Sequence, residues 1–363
     1  MSYIVIARKY RPQTFEDIIG QQHVSRTLKN AIALKKISHA YLFSGPRGVG
    51  KTTTARILAK AVNCTKSGSE EPCNDCATCR EITSSESVDI IEIDAASNRG
   101  IDEIRKLREN IKFLPATTKY KVYIIDEVHM LTKEAFNAVL KTLEEPPEHV
   151  IFIMATTEPE KVLETITSRC QQFNFKLISE KQIKESLKII ADKEKLQYEE
   201  DGLWAIARAA EGSIRDAQSM MDQAIAYSGG RIVYNEVNQL LGMVSYETLL
   251  TYTEHIKNKD AKKALELTNK LLRDGYNISR LFNELLKHFR NLMMAKIFGK
   301  ATGFLGFSGD YSNKLAESAE GFTKEQIVWI LEFLTRNASR IKFSGAMPAF
   351  SRIPTISLNP TNL

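Results

Sequence analysis

Four short apolar runs dominate the first half of the chain: AYLFSG (40–45), VDIIEIDA (88–95), KVYIIDE (121–127) and VIFIMATT (150–157). Each is almost continuous in apolar residues and closes on small or polar ones. Between them lie stretches with helical periodicity, such as KTTTARILAKAVN and KEAFNAVLKTLEE. A strand wetted on one side alternates apolar and polar residues, whereas one that is apolar throughout must be covered on both faces. Strands of this kind separated by helices require an α/β fold with a parallel sheet covered by helices. Ligands of such sheets lie beyond the carboxyl ends of the strands. The residues that close the runs are therefore the first candidates for a site.

The strand signal stops after QFNFKLIS. Residues 179–242 read as short helices with apolar positions Ile183, Leu187 and Ile190, then Leu203, Ile206 and Ala210, then Ile214, Ala217 and Met221. From 243 onward longer amphipathic helices follow, with Leu281, Leu285, Phe289, Leu292 and Met293 on one stripe. The expected division is an α/β domain over 1–178, a small helical domain over 179–242 and a larger helical domain over 243–363. A length of 363 residues with 43% hydrophobic content suits two or three domains with real cores. No run of ~18 apolar residues occurs, and the opening MSYIVIARKYRPQTFEDIIG lacks a small-residue cleavage site. The expectation is a soluble, cytoplasmic protein without a membrane span. A net charge of +6 permits nucleic-acid contact without demanding it.

GPRGVGKT, from Gly45 to Thr52, fits G-x-x-x-x-G-K-[ST] and lies between a strand and a helix. Its glycines let backbone N–H groups curl around a phosphate at a helix N-terminus, where the dipole favours anions. Gly45, Pro46, Arg47, Gly48, Val49, Gly50, Lys51, Thr52 and Thr53 are the candidate nucleotide contacts. Lys51 is expected to reach the β- and γ-phosphates, and the Thr52 hydroxyl to ligate Mg²⁺. In VYIIDEVH, Asp126 closes an apolar strand and would hold the same Mg²⁺ through its water shell; Glu127 would polarise the attacking water. A scaffold that never hydrolyses would not need Glu127, so ATP hydrolysis is expected.

Four of the five cysteines cluster as C-x₈-C-x₂-C-x₂-C: Cys64, Cys73, Cys76 and Cys79. Two close C-x₂-C steps bring thiolates onto one Zn²⁺, and four of them close its tetrahedral shell. The expected ion is structural rather than catalytic. Cys170 stands alone and reads as a packed residue.

The stretches HAYLFSGPRGVGKTTTARILAKAVNC, IDAASNRGIDEIR, YIIDEVHMLTKEAFNAVLKTLEEPPEHVIFIMATTEP, SRCQQF and AAEGSIRDAQSMMDQAI, with the cysteine cluster, closely resemble the gamma/tau family of bacterial DNA polymerase III subunits. These are the AAA+ ATPases of the clamp loader. The resemblance is dense over 1–242 and looser beyond, and the zinc insertion at 64–79 is its most specific feature. It implies an AAA+ P-loop NTPase domain, a helical lid and a helical collar. It also implies that Thr156 and Thr157 form sensor 1, that Arg215 is sensor 2, and that Arg11 and Pro12, with Ile18 and Ile19, wall the adenine. The implied partners are other clamp-loader subunits in a pentamer-like ring, the sliding clamp and primer–template DNA. Polymerase or helicase contacts through a long tail are not expected of these 363 residues.

Two further expectations concern arginines. Arg169, in SRC, follows FIMATT by way of a turn at Glu158–Pro159 and an expected helix of about nine residues. At ~1.5 Å per residue that helix carries Arg169 roughly 13 Å from the phosphate edge. It is poorly placed for its own nucleotide, and the resemblance implies an arginine finger acting on a neighbouring subunit. Arg105, Arg108 and Lys112, with Arg99, form a basic stripe able to track DNA phosphates or to lie solvated.

Overall fold

The structure, a computed structural model, describes residues 3–66, 70–97, 109–299 and 309–344. Arg99, Arg105 and Arg108 of the basic stripe lie outside the described residues, and Lys112 is exposed just past a helix end. The chain forms two compact units, Met1–Ile190 with Ala210–Asp222, and Ala191–Ala209 with Gln223–Leu363.

The first unit holds a five-stranded sheet of β1 (Ala40–Ser44), β2 (Ile90–Asp94), β3 (Lys121–Asp126), β4 (Val150–Thr156) and β5 (Gln171–Asn174). Every pairing is parallel, in the order β2-β3-β4-β1-β5. In β1, β3 and β4 the apolar runs lack alternation because both of their faces meet a core. Tyr41, Phe43, Val122, Ile124, Ile151 and Ile153 pack on one side with Leu28 and Leu58. Their neighbours Ala40, Leu42, Tyr123, Ile125, Phe152 and Met154 pack on the other with Phe136, Val139 and Leu143. β2 lies at the edge, and its side chains are only partly covered. β1 and β4 are adjacent, with Ser44 opposite Thr156. The chain leaves β1 toward β2 on one side and leaves β4 toward β5 on the other. Such a divergence opens a crevice at the carboxyl ends of the two strands.

Between β4 and β5 the nine-residue helix expected from the sequence is absent. A 3₁₀ turn, Pro159–Lys161, and a single helical turn, Glu164–Thr167, take its place. Val162 and Leu163 between them are extended, with ψ of 132° and 137°. Val162 is buried in the second core, so the chain straightens to plant that side chain. Arg169 nevertheless stays far from the phosphate edge. Gln171 pairs with Tyr41 and Asn174 with Ser44, so Arg169 precedes β5 at the amino edge of the sheet.

In the second unit the helix Glu200–Ala209 packs with the helix Tyr234–Leu241, and two-residue strands at 197–198 and 231–232 pair in parallel. Helices Tyr246–Lys257, Ala261–Arg273, Ile278–Phe298, Gly309–Glu320 and Lys324–Ser344 follow. Leu281, Leu285, Phe289 and Leu292 are buried in their common core, with Met293 packed against it. That core has a polar centre: the fully buried His288 ring lies 2.7 Å from Thr253 Oγ1 and 2.9 Å from Tyr311 Oη.

Candidate active site

β1 runs into the loop 45–50, and the helix Lys51–Asn63 leaves it. A Cβ on Gly45 would lie 2.3 Å from the Phe175 carbonyl oxygen, and one on Gly48 1.9 Å from Ser213 Oγ. Both residues have positive φ, so only glycine fits either place. Val49 is buried, whereas Pro46 and Arg47 are exposed and Thr53 is partly covered. The unpaired N–H groups of the helix start add partial positive charge beside the loop.

Lys51 is 6% exposed, and its Nζ donates to the carbonyls of Gly45 and Pro46 at 2.7 Å each. Burial lowers its pKa, opposed by the charges of Glu127 and Asp126. The Thr52 hydroxyl donates to Asp126 Oδ2 at 2.7 Å. Asp126 closes β3, and its other oxygen accepts the Glu127 N–H at 3.0 Å. Glu127 adopts φ 48° and ψ 47°, a left-handed conformation that is costly for a residue with a side chain. Its Oε2 accepts the Thr157 hydroxyl at 2.9 Å and the Thr157 N–H at 3.2 Å.

His129, which no motif marks in the sequence, also lies in the site. Its Nδ1 lies 2.9 Å from Thr156 Oγ1 and 3.4 Å from Glu127 Oε2, and its Nε2 lies 3.2 Å from Glu158 Oε1. The signal was its place two residues past the paired acids.

Arg215 opens the helix Ile214–Tyr227; its backbone N–H donates to the Gly48 carbonyl at 3.4 Å, and its side chain is exposed. Arg11 and Pro12 are partly buried. The Arg11 guanidinium sits below its usual range through burial and then the charge of Arg56, with Arg215 adding to the effect and Glu92 opposing it. The structure thus gathers Lys51, Thr52, Asp126, Glu127 and Thr157 around the phosphate loop, with Arg11 and Arg215 in electrostatic reach of each other. Arg169 is not among them. Its Nη1 donates to the Thr165 carbonyl at 2.8 Å, and its Nη2 meets Glu144 Oε1 at 3.1 Å. The neighbouring Cys170 packs against the second core, and burial pushes its thiol up to about 12.

The sulfur atoms of Cys64, Cys73, Cys76 and Cys79 all lie within 4.8 Å of one another, with Cys73 and Cys79 3.9 Å apart. Tetrahedral Zn²⁺ with bonds of about 2.3 Å has sulfur–sulfur edges of about 3.8 Å. Backbone N–H groups turn toward the sulfurs: Cys73 toward Cys64 at 3.4 Å, Cys76 toward Cys73 at 3.3 Å and Cys79 toward Cys76 at 3.4 Å. Such donors favour thiolate over thiol. The four residues fit a zinc ion. Beside them lies Lys60, a second residue that no motif marks in the sequence. It is 2% exposed, and burial lowers its pKa against the charges of Cys79, Asp17 and Cys73.

Comparison with known proteins matches residues 20–179 to a family described as DNA polymerase III, delta subunit. Residues 182–230 match the DNA polymerase III clamp loader subunit, ATPase lid domain, and 232–346 match DNA polymerase III subunits gamma and tau domain III. DNA polymerase III subunit gamma of Buchnera aphidicola is 39% identical over 344 residues, covering 95% of this chain and 95% of that protein. The chain belongs to the DNA polymerase III gamma/tau family. The tau subunit of Bacillus subtilis is 44% identical over all of this chain, and that of Escherichia coli is 46% identical over 84% of it. This gamma/tau chain spans 64% of the first tau protein and 47% of the second, less than two thirds of either. A solved structure of the Thermotoga maritima RuvB Holliday junction branch migration motor is 20% identical, with a TM-score of 0.48 over 68% of this chain and 79% of that one, a likeness too slight to argue from. As in the family, the fold is of the AAA+ type: a P-loop domain on a parallel sheet, a lid and a helical domain. Among the described residues no helix is long and apolar enough to cross a membrane.

Proposed function

We propose that this chain binds and hydrolyses ATP as a motor subunit of a bacterial clamp loader. The observation that carries the reading is the pairing of Thr52 with Asp126 at 2.7 Å, beside a Glu127 held by Thr157. A hydroxyl beside a carboxylate is an oxygen set that would hold Mg²⁺, Thr52 through its hydroxyl and Asp126 through the ion's water shell. Mg²⁺ held by these two residues supplies charge that neutralises phosphate oxygens. The amides of 45–50 and Lys51 hold the β- and γ-phosphates, with Thr53 at the helix start. Glu127 polarises and aims the attacking water, and Thr157 fixes Glu127. Arg215 reaches the phosphates from the lid, while Arg11 and Pro12 wall the base. Cys64, Cys73, Cys76 and Cys79 hold a structural Zn²⁺ with a closed shell.

On this reading residues 1–178 are the nucleotide domain, 179–242 the lid and 243–363 the collar joining subunits into a pentamer-like hetero-oligomer. Arg169, held at the sheet edge away from its own loop, serves the adjacent subunit's ATP as a finger in trans. The ATP-bound assembly prefers the open sliding clamp and primer–template DNA, because nucleotide shifts only an equilibrium between states of different affinity. Hydrolysis then releases the clamp on DNA. The test is the ATPase rate of the reconstituted loader with and without clamp and primed DNA. Stimulation by both supports the reading. ATP binding without turnover under every condition makes the chain a scaffold subunit instead.

A further inference from the structure

We infer that Lys60 is a positioning residue tying the four-cysteine loop to the N-terminal segment that bears Arg11, so that a metal ion on the cysteines sets nucleotide affinity. The inference rests on the reading of Arg11 and the phosphate loop as a nucleotide site.

Lys60 lies on the helix that leaves the phosphate loop, with its side chain sealed from water. Its Nζ donates to Asn74 Oδ1 at 2.7 Å, to Gln13 Oε1 at 2.8 Å and to the Gln13 carbonyl at 3.1 Å. An ammonium has three donors, and these three oxygens are its near acceptors, with Thr83 Oγ1 a longer contact at 3.5 Å. Gln13 passes the constraint on, because its Nε2 donates to the Arg11 carbonyl at 2.9 Å. Asn74 stands between Cys73 and Cys76 with φ 58°, so closure of the cysteine turn aims its carboxamide.

A second tie runs from the same loop. Glu71 Oε2 accepts the backbone N–H of Phe15 at 2.7 Å, and Glu71 Oε1 lies 3.2 Å from Lys29 Nζ. Residues 11–15 are thus held from the cysteine loop at two points. If the thiolates lose their ion they repel one another and the turn opens. Asn74 and Glu71 then withdraw together, leaving a buried ammonium short of an acceptor and the Phe15 amide without its carboxylate. The segment loosens, and Arg11 with it.

Replacing Lys60 strands Gln13 and Asn74 and endangers folding, so the test changes its partners. Asn74→Gly keeps the left-handed turn and deletes only the acceptor. ATP dissociation constants are measured for the zinc-loaded protein, Asn74→Gly, Gln13→Ala and the double variant. Amide exchange at Phe15 is followed in zinc-loaded and chelator-stripped protein. Asn74→Gly should retain zinc and weaken ATP binding about three- to tenfold, the worth of one such hydrogen bond, with kcat unchanged. The double variant should be no weaker than the weaker single one, because both cut the same relay. Phe15 exchange should quicken when zinc is removed. An unchanged ATP constant in zinc-retaining Asn74→Gly, additive losses in the double variant, or Phe15 exchange indifferent to zinc would each overturn the relay. If the unaltered protein binds no ATP, the nucleotide reading fails, and Phe15 exchange still decides whether metal holds the segment.

Discussion

Thr157 grips Glu127 twice, through its hydroxyl at 2.9 Å and its backbone N–H at 3.2 Å, both on Oε2. The carboxylate is therefore aimed from the end of β4 although it hangs from the end of β3. Thr157→Val keeps the shape and the backbone bond and removes the hydroxyl. Hydrolysis should fall about tenfold with ATP affinity unchanged, because a loosened base loses part of the ~10²–10⁴ such groups contribute. Single-turnover rates beside equilibrium nucleotide binding check this.

Lys51 and Glu127 should fail differently. Lys51→Ala removes a buried cation at the loop and should abolish nucleotide-dependent clamp loading. Glu127→Gln preserves the side chain's size and should retain ATP binding while turnover collapses, trapping the ATP state. Equal loss of affinity in both variants would contradict that division of labour.

One Zn²⁺ per chain is expected on Cys64, Cys73, Cys76 and Cys79. Cys76→Ser should lower zinc content and thermal stability together, because the ion's binding energy is folding energy for its loop. Elemental analysis with melting curves checks it. A folded, metal-free wild-type protein with four titratable thiols there would be the contrary result.

Arg169 pairs with Glu144 at the surface, a contact worth at most about 1 kcal/mol. Arg169→Ala should therefore cost little stability and leave the subunit's own ATP binding intact, while hydrolysis at the facing site falls by ~10³ or more. Assemblies mixing Arg169→Ala with Lys51→Ala subunits at defined positions locate the loss. Loss confined to the altered subunit's own site would reassign the arginine.

His288 is buried neutral, its pKa pushed down to about 3 by burial and then by Arg208. Unfolded, it titrates near 6.5. Between those values the unfolded chain binds the extra proton, so stability falls as pH drops from about 6.5 toward 3. His288→Gln should flatten that slope. Acid unfolding followed by circular dichroism measures it.

The heart of the sheet was readable in the sequence because β1, β3 and β4 are apolar on both faces, a pattern that needs no knowledge of their partners. The edge strands β2 and β5 carry exposed polar residues and signal themselves less. The phosphate loop, Asp126 and Glu127 were readable for a related reason: local spacing places them at strand ends. Lys60 was not. In ARILAKAVN a lysine reads as the wet side of an amphipathic helix, and only chain arriving from Gln13 and Asn74 seals it in. His129 likewise gains its meaning from Thr156 and Glu158, supplied by the end of β4 and the turn after it. The helix expected before Arg169 failed because Val162 is drawn into a core that no nine-residue window contains.

The strand order also governs how the protein comes into being. β1 is paired on both sides, yet both neighbours are synthesised long after it: Ala40 waits for Phe152, and Tyr41 for Gln171. At roughly 5–20 residues per second, that leaves both edges of β1 bare for on the order of ten seconds on the ribosome. Throughout that interval AYLFS is an apolar strand with unpaired N–H and C=O groups, able to join any other strand it meets. A nascent chain halted before Val150 holds the phosphate loop but not the strand that pairs with β1, and it should depend on a chaperone's grip to stay out of aggregates.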